Sequence, residues 1–393
     1  MKTDNVTQQR SNRVWLTPEM CELEDFKKGI DRVTKPEDYP FAAEIACNVP
    51  IYDGDAVRKA TKDPELRKAL LAEWAEVMLD GPGIVVFRKA FANTAPIDAA
   101  TKVFFDLIAE QKAEGTGGGD HFAKPGANDR IWNALEKLAL RNPLAFADYY
   151  ANEVIALVSE SWLGPCYQVT SQLNVVNPGG EAQSVHRDYH MGFQTSKEIQ
   201  RFPAHAHRLS PVLTLQGAVA HVDMPEESGP TLYLPYSQSF GPGFFAWRKP
   251  EFKEFFNSNY VQLPLAKGDA AFFNPALFHA AGTNRTKDVK RMANLLQVSS
   301  AYGRAMEAMD RARMSQSLYP VLAASRLDQQ SIENVVAACA EGYAFPTNLD
   351  RDPPIGGLAP QTQAQLMLKA LAEKWDATKF NQALKNHSIR RLT

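Results

Sequence analysis

The sequence predicts a mainly β core with flanking helices, in the form of an antiparallel barrel or jelly roll. Three observations predict it. Apolar residues recur at helical spacing through much of the first 165 residues, short β-rich runs alternate with Gly/Pro turns over 166–302, and helical patterning returns from 303 onward. Short strands at such intervals suit a barrel or jelly roll better than alternating βαβ units. The chain therefore reads as one domain over 1–393, with a mostly helical part at 1–165, a jelly-roll core at 166–302 and a helical extension at 303–393.

Composition supports a folded core and excludes several classes of function. The 393 residues are 45% hydrophobic and 10% aromatic, ample for a large interior. Lys and Arg number 43 against 45 Asp and Glu, a formal charge of −2. No segment gathers the basic stripe that a phosphate backbone requires, so nucleic acid is not an expected partner. The N-terminus MKTDNVTQQRSNRVW is polar, and no run approaches the roughly 20 apolar residues of a membrane span. The expectation is a soluble, cytoplasmic protein acting on a small molecule, with no membrane partner. Cys21, Cys47, Cys166 and Cys339 form no C-x-x-C pair, which favours scattered reduced thiols over a zinc cage or a disulfide framework.

In chain order, residues 1–60 are rich in Pro, Asp and charge without clear periodicity, and are expected to wrap over the surface. From Pro64 to about Leu79 the residues Leu66, Leu70, Leu71, Trp74, Val77 and Met78 recur at helical spacing, stopped by Asp80-Gly81-Pro82-Gly83. Ile84–Phe87 reads as a buried strand. A second helix over Ile97–Ala113 runs into Gly115-Thr116-Gly117-Gly118-Gly119-Asp120, a mobile-loop composition. That loop follows a helix and lacks the Lys and Ser/Thr ending of a phosphate cradle. A third helical stretch, 129–163, breaks near Asn142-Pro143. Strands are predicted at Tyr167–Val176, Ser184–His190, Val212–Val222, Thr231–Leu234, Ala270–Asn274 and Met292–Ser300, and a final helix near Thr362–Trp375.

The chemistry concentrates in His186-Arg187-Asp188. Side chains at i and i+2 of a strand project to one side, so His186 and Asp188 face a barrel interior together while Arg187 faces away. His279, near the end of a downstream strand-like segment, supplies a third ligand. Two imidazoles and one carboxylate on one face leave coordination positions open, the arrangement of non-haem Fe(II) oxygenases. An H-x-D pair is weak alone, and His221-Val222-Asp223 is a second one. It leads into a turn, and His221 reads as a core histidine satisfied by its surroundings.

Such an oxygenase needs a co-substrate that supplies electrons, and a dicarboxylate such as 2-oxoglutarate needs a fixed cation. Arg291 opens the apolar strand after His279, and a guanidinium is a planar, permanently charged partner for a carboxylate. Arg285 and Lys290 compete for that role from a turn-like, solvated stretch. Thr170, Gln172 and Asn174 share one side of a strand, and Thr214 and Gln216 one side of another. Each stripe either lines a polar pocket or forms an outward solvated face, since alternation does not say which side is buried.

The segments His186–His190, Asp223–Pro235 and Gly268 to Arg291, in that order, resemble the phytanoyl-CoA dioxygenase-like Fe(II)/2-oxoglutarate oxygenases. The resemblance covers about residues 166–302 and implies a double-stranded β-helix, the cupin-like jelly roll. It further implies His186, Asp188 and His279 as iron ligands, Arg291 as the clamp on the 2-oxoglutarate C5 carboxylate, and O2 as oxidant. Asn174 and Gln216 fall where the family places co-substrate contacts, and Gln172 lies on the Asn174 stripe. The chain departs from the family in carrying Ala281 where relatives can offer a hydroxyl, and one extra residue between His279 and Arg291.

The implied reaction releases succinate and CO2 and hydroxylates a small organic substrate. An iron halogenase would carry a small non-ligating residue in place of Asp188, so hydroxylation or a related oxidation is favoured. His190, Tyr189 and Phe193 are candidate substrate contacts. His190 could equally be structural; Tyr189, Phe193 and the 115–120 loop are candidates for pocket wall and lid. Lys124 and Arg130 could meet an anion or lie at the solvated surface. Two other readings stand: a metal-dependent enzyme of the same fold that does not use 2-oxoglutarate, and a non-catalytic small-molecule-binding jelly roll.

Overall fold

The computed structural model describes residues 2–115 and 126–393. The 115–120 loop beyond Gly115, and Lys124, lie outside the described residues. The chain divides into two compact units, one of Met1–Ala92, Gly118–Asp129 and Asn174–Ala293, the other of Asn93–Gly117, Arg130–Leu173 and Asn294–Thr393.

Eleven strands occur among the described residues: β1 (Glu44–Ala46), β2 (Val49–Asp53), β3 (Ile84–Arg88), β4 (Asn128–Ile131), β5 (Gln168–Val176), β6 (Thr214–Ala220), β7 (Leu232–Leu234), β8 (Val261–Gln262), β9 (Ala270–Phe273), β10 (Phe278–Ala280) and β11 (Arg291–Ser299). They form a large mixed sheet, β1-β2-β3-β9-β6-β11-β5-β4, and a small sheet, β10-β7-β8. This is the jelly-roll core with flanking helices.

In the first unit the larger sheet is apolar on both faces, for different reasons. Val49 and Ile51 of β2, Ile84 and Val86 of β3, and Ala271 and Phe273 of β9 alternate onto one face and pack with Tyr233, Leu263 and Leu265 from around the small sheet. Residues of the opposite parity, Tyr52, Phe87 and Phe272, meet Trp74 of the Pro64–Leu79 helix in a chain of edge contacts with ring centroids 4.8 to 6.1 Å apart. Each such pair contributes about 0.5–1.5 kcal/mol beyond the area it buries. Asp269 ties the β9 entry to β3, accepting from the Arg88 guanidinium and the Lys89 amide, both at 2.8 Å.

Residues 1–60 correct the surface-wrap expectation, because Val49, Ile51 and Tyr52 are fully buried and β2 runs parallel to β3. The alternation there spans only five residues and is interrupted by Pro50, too short to stand out as a period. The predicted strand Ser184–His190 is also corrected. His186 makes a single bridge to His279, and Tyr189 and His190 have φ of 63° and 41°, which turns the chain into a short 3₁₀ helix at His190–Phe193. The predicted Val212–Val222 strand begins at Thr214, after a helix over Ala204–Val212.

The second unit is largely helical. Asn142 and Asn152 cap successive helices, Pro143–Tyr150 and Glu153–Leu163, by accepting from Ala145 N and Ile155 N. Side-chain caps of this kind satisfy amides that have no intrahelical partner. The break near Asn142-Pro143 therefore stands where the sequence puts it. Further on, Tyr319 of the Arg311–Ala324 helix stacks on Phe380 with centroids 4.0 Å apart, and its hydroxyl donates to Ala370 O and Trp375 O. No helix among the described residues is long and apolar enough to cross a membrane.

Candidate metal centre

Two short segments of the first unit lie antiparallel and present the three ligands. His186 N donates to His279 O at 3.0 Å, and His279 N donates to His186 O at 3.2 Å. Asp188 N donates to Pro275 O at 3.0 Å. Ligand atoms of His186, Asp188 and His279 all fall within 4.8 Å of one another, and among the described residues this is the one such cluster of three or more potential metal-ligating side chains.

Each imidazole is oriented by its own backbone. His186 Nδ1 lies 2.9 Å from Ser184 O, and His279 Nδ1 lies 2.8 Å from Leu277 O. A proton on Nδ1 leaves Nε2 as the lone-pair donor, the tautomer a metal needs. The Nε2 atoms lie 3.8 and 3.5 Å from the Asp188 carboxylate oxygens. Burial alone would raise the Asp188 carboxyl, but the two imidazoles and the Gln216 amide hold it well below the usual carboxylate range. His279 is 6% exposed at its side chain, against 25% for His186 and 18% for Asp188, so the open side of the cluster is that of His186 and Asp188. Phe273 backs it, its ring 4.8 Å from that of His279.

Arg187 alternates to the other side, as expected. Its guanidinium lies over Phe244 and Phe278 and donates to Phe240 O at 3.1 Å, so it anchors the loop before Phe244 and takes no part in the cluster. His221 is 2% exposed and outside the cluster. Asp223 accepts from Lys267 N at 2.8 Å, so the second H-x-D sits in the scaffold.

The other candidates separate. Gln216 Nε2 donates to Asp188 Oδ2, which makes this residue a partner of the carboxylate ligand, and its Oε1 is buried with no hydrogen-bond partner among the described residues. Thr214 and Gln216 are buried, so that stripe faces inward. Asn174 Oδ1 accepts from Asn128 at 3.3 Å. In the second unit, Gln172 is fully buried, accepting from Arg130 and lying 3.5 Å from the Met306 sulfur. Tyr189 is buried, Phe193 is 59% exposed, and His190 Nδ1 lies 3.0 Å from Ser210 Oγ. Because the chain turns at Tyr189, His190 does not share the strand parity of His186 and Asp188.

Arg291 is 7% exposed and donates to Gly282 O at 3.3 Å. Among the described residues no carboxylate pairs with it. Burial pushes the guanidinium down to about 10, with Tyr233 opposing that shift. A buried cation without an acidic partner is costly and is ordinarily matched by an anion. Tyr233 was not singled out in the sequence, where it is one aromatic among the strand residues of Thr231–Leu234.

The family model for phytanoyl-CoA dioxygenase (PhyH) matches residues 23–293. The chain belongs to the PhyH family. Members of the PhyH family depend on Fe(II), 2-oxoglutarate and O2, and the His-Asp-His cluster is the donor set that chemistry uses. The chain is thus an enzyme of the Fe(II)/2-oxoglutarate-dependent kind. No curated protein matches it. Among solved structures it is similar to the non-heme alpha ketoglutarate dependent epimerase SnoN from nogalamycin biosynthesis, at 18% identity over 61% of this chain and 82% of that one, TM-score 0.42. It is also similar to the carbocyclase SnoK of the same biosynthesis, at 17% identity over 64% and 92%, TM-score 0.42. Membership in the PhyH family rests on the family model.

Proposed function

We propose that this protein hydroxylates a small organic substrate, with His186 Nε2, the Asp188 carboxylate and His279 Nε2 holding Fe(II) and Arg291 binding the C5 carboxylate of 2-oxoglutarate. The observation that carries the proposal is the pairing, within one unit, of a two-histidine, one-carboxylate cluster with a buried arginine that has no acidic partner. When bound, iron with 2-oxoglutarate and O2 supplies the oxidation, in which the co-substrate becomes succinate and CO2 and an oxygen atom is delivered to a C–H bond.

The chain's own residues prepare that chemistry. Ser184 O and Leu277 O can accept from the two Nδ1 atoms, the arrangement that leaves Nε2 of each neutral imidazole free for a metal. Asp188 is ionised by its neighbours and oriented by Gln216. A carboxylate at this position occupies the place a halide would need, which favours hydroxylation or a related oxidation over halogenation. Arg291 matches a distal carboxylate in charge and fork geometry. Asn174, Gln172, Tyr189, His190 and Phe193 are kept as lesser candidates for co-substrate and substrate contacts. The name-giving acyl-CoA substrate of the family is not carried over, since the sequence holds no evident basic cluster for its phosphates.

The test is substrate-dependent release of succinate from 2-oxoglutarate with Fe(II) and O2, screened over small natural products, amino acids and acyl derivatives. His279→Ala is expected to abolish it. Absence of both iron binding and succinate formation in the wild-type protein would overturn the reading.

A further inference from the structure

Immediately after Asp188 the chain bends through two successive residues in the left-handed region, Tyr189 at φ 63° and His190 at φ 41°. Residues with a Cβ persist there only where their surroundings over-determine them, and such sites gather around functional groups. Gly192 N closes the turn by donating to Tyr189 O at 2.8 Å. The turn folds Gly192 onto the peptide that joins Arg187 to Asp188, where a Cβ would stand 2.1 Å from Arg187 O and 3.0 Å from Arg187 C. Asp188 N belongs to that same peptide and donates to Pro275 O at 3.0 Å. The N–H and C=O of a trans peptide point to opposite sides, so the peptide carrying the carboxylate ligand is held at one edge by Pro275 and packed at the other by Gly192.

Arg248 holds Gly192 in that place. Its Nη2 donates to Gly192 O at 3.3 Å and to Gln194 O at 2.6 Å, and its Nη1 donates to Phe244 O. The guanidinium lies over the Trp247 ring, 4.2 Å from its centroid. A planar fork of fixed donors can bridge carbonyls of two segments at once, which a lysine ammonium does less well. Within the turn, His190 Nδ1 lies 3.0 Å from Ser210 Oγ.

We propose that Arg248 is a positioning residue for Asp188: by holding the carbonyls of Gly192 and Gln194 it keeps the turn against the Arg187–Asp188 peptide and so aims the carboxylate at the metal position. The inference rests on the reading of Asp188 as an iron ligand. Arg248 acts through Gly192 and not by contact with the ligand set.

The experiment uses the full chain without oxygen. It measures the Fe(II) dissociation constant by competition with a chelator, and the charge-transfer absorption of the Fe(II) protein with 2-oxoglutarate. Arg248→Met keeps an apolar stem and removes the three hydrogen bonds. It is expected to weaken Fe(II) about 10- to 100-fold, the range for partners behind a metal ligand, and to shift the absorption maximum. Arg248→Lys, which keeps the charge, is expected to fall between Arg248→Met and the wild type. Phe252→Leu, in the apolar cluster that contains Phe244, is a destabilised control and is expected to keep wild-type values of both. Gly192→Ala leaves Arg248 intact and sets a methyl against Arg187 O; it is expected to weaken Fe(II) by a similar factor, and it decides the matter if Arg248→Met does not fold. Wild-type Fe(II) affinity and absorption in Arg248→Met, with only the melting temperature lowered, would overturn the proposal and leave the site reading standing. Wild-type affinity in Gly192→Ala would do the same. Equal loss of Fe(II) affinity in Phe252→Leu and Arg248→Met would also overturn it, since general loosening would then account for both. A wild-type protein that binds no Fe(II) would sink the site reading itself, and this inference with it.

Discussion

His186 and His279 face each other across a two-bond antiparallel bridge, with N to O distances of 3.0 and 3.2 Å in the two directions and ring centroids 4.4 Å apart. Two ligands separated by 93 residues of chain are thereby set by mutual backbone pairing, and the cluster is as rigid as that pairing. Loss of any one ligand should therefore leave the fold and remove the metal. Asp188→Ala and His279→Ala are expected to retain native circular dichroism and to fail to retain Fe(II) on gel filtration.

Gln216 acts on the metal only through Asp188. Removing an outer partner of a metal ligand typically costs about 10–100-fold in affinity or activity. Gln216→Leu is expected to fall in that range for Fe(II), measured by competition with a chelator, with a smaller effect on 2-oxoglutarate affinity measured at saturating metal.

Arg291 should display a trade between stability and binding. A buried cation with no acidic partner is a net cost to the unliganded fold, so Arg291→Leu is expected to be as stable as the wild type or more so without ligand. In the wild type, 2-oxoglutarate at 100 times its Kd should stabilise by about 2.7 kcal/mol. The variant should gain little. Thermal melts of both proteins with and without the co-substrate test this directly.

Gly229 and Gly282 bring two loops into contact beneath Arg291. A Cβ at Gly229 would stand 2.4 Å from Thr283 O and 2.6 Å from Gly282 O, the same carbonyl that accepts from Arg291, and Gly229 has φ +74°. Gly229→Ala is expected to destabilise by about 1–3 kcal/mol from the backbone conformation alone, more with the clash, and to raise the KM for 2-oxoglutarate. Urea denaturation and steady-state kinetics measure the two effects.

Two buried histidines away from the cluster give the protein an acid limit. Burial lowers His207 and His387 below the ordinary imidazole value of 6.5, and each lies near a carbonyl, Phe202 O and Gln361 O. The unfolded chain therefore binds more protons than the native one once the pH drops below about 6.5. Their contribution is fully present above that value and is lost as the pH falls through their lowered folded values. Stability by urea denaturation is expected to decline between pH 7 and 5, and to decline less steeply in His207→Gln.

Much of this was legible because it is local. Alternation placed His186 and Asp188 on one side and Arg187 on the other, and the structure sends Arg187 between Phe244 and Phe278. Helical spacing found the Pro64–Leu79 helix, since its Pro64 start and Asp80-Gly81-Pro82-Gly83 stop are written beside the periodic run. The strands β5, β6, β7, β9 and β11 followed from short apolar runs. The small strands β1, β2, β4 and β8 did not, β4 falling where a helical stretch from 129 is expected, because two to five residues carry no period and are extended only because a neighbour hydrogen-bonds to them.

The sequence by itself determined the chemical inventory: two histidines and a carboxylate for a metal, an arginine at the start of the last core strand, and polar residues alternating along two strands. Only the tertiary structure decided the partnerships. Pairing of β10 with β7 sets Tyr233 opposite His279, burial leaves Arg291 without an acid, and the approach of β6 gives Gln216 to Asp188. Side-chain type and parity are properties of a few neighbouring residues and can be read along the chain. Which donor meets which acceptor depends on strand register between distant segments, and that is set by the packing of the whole core.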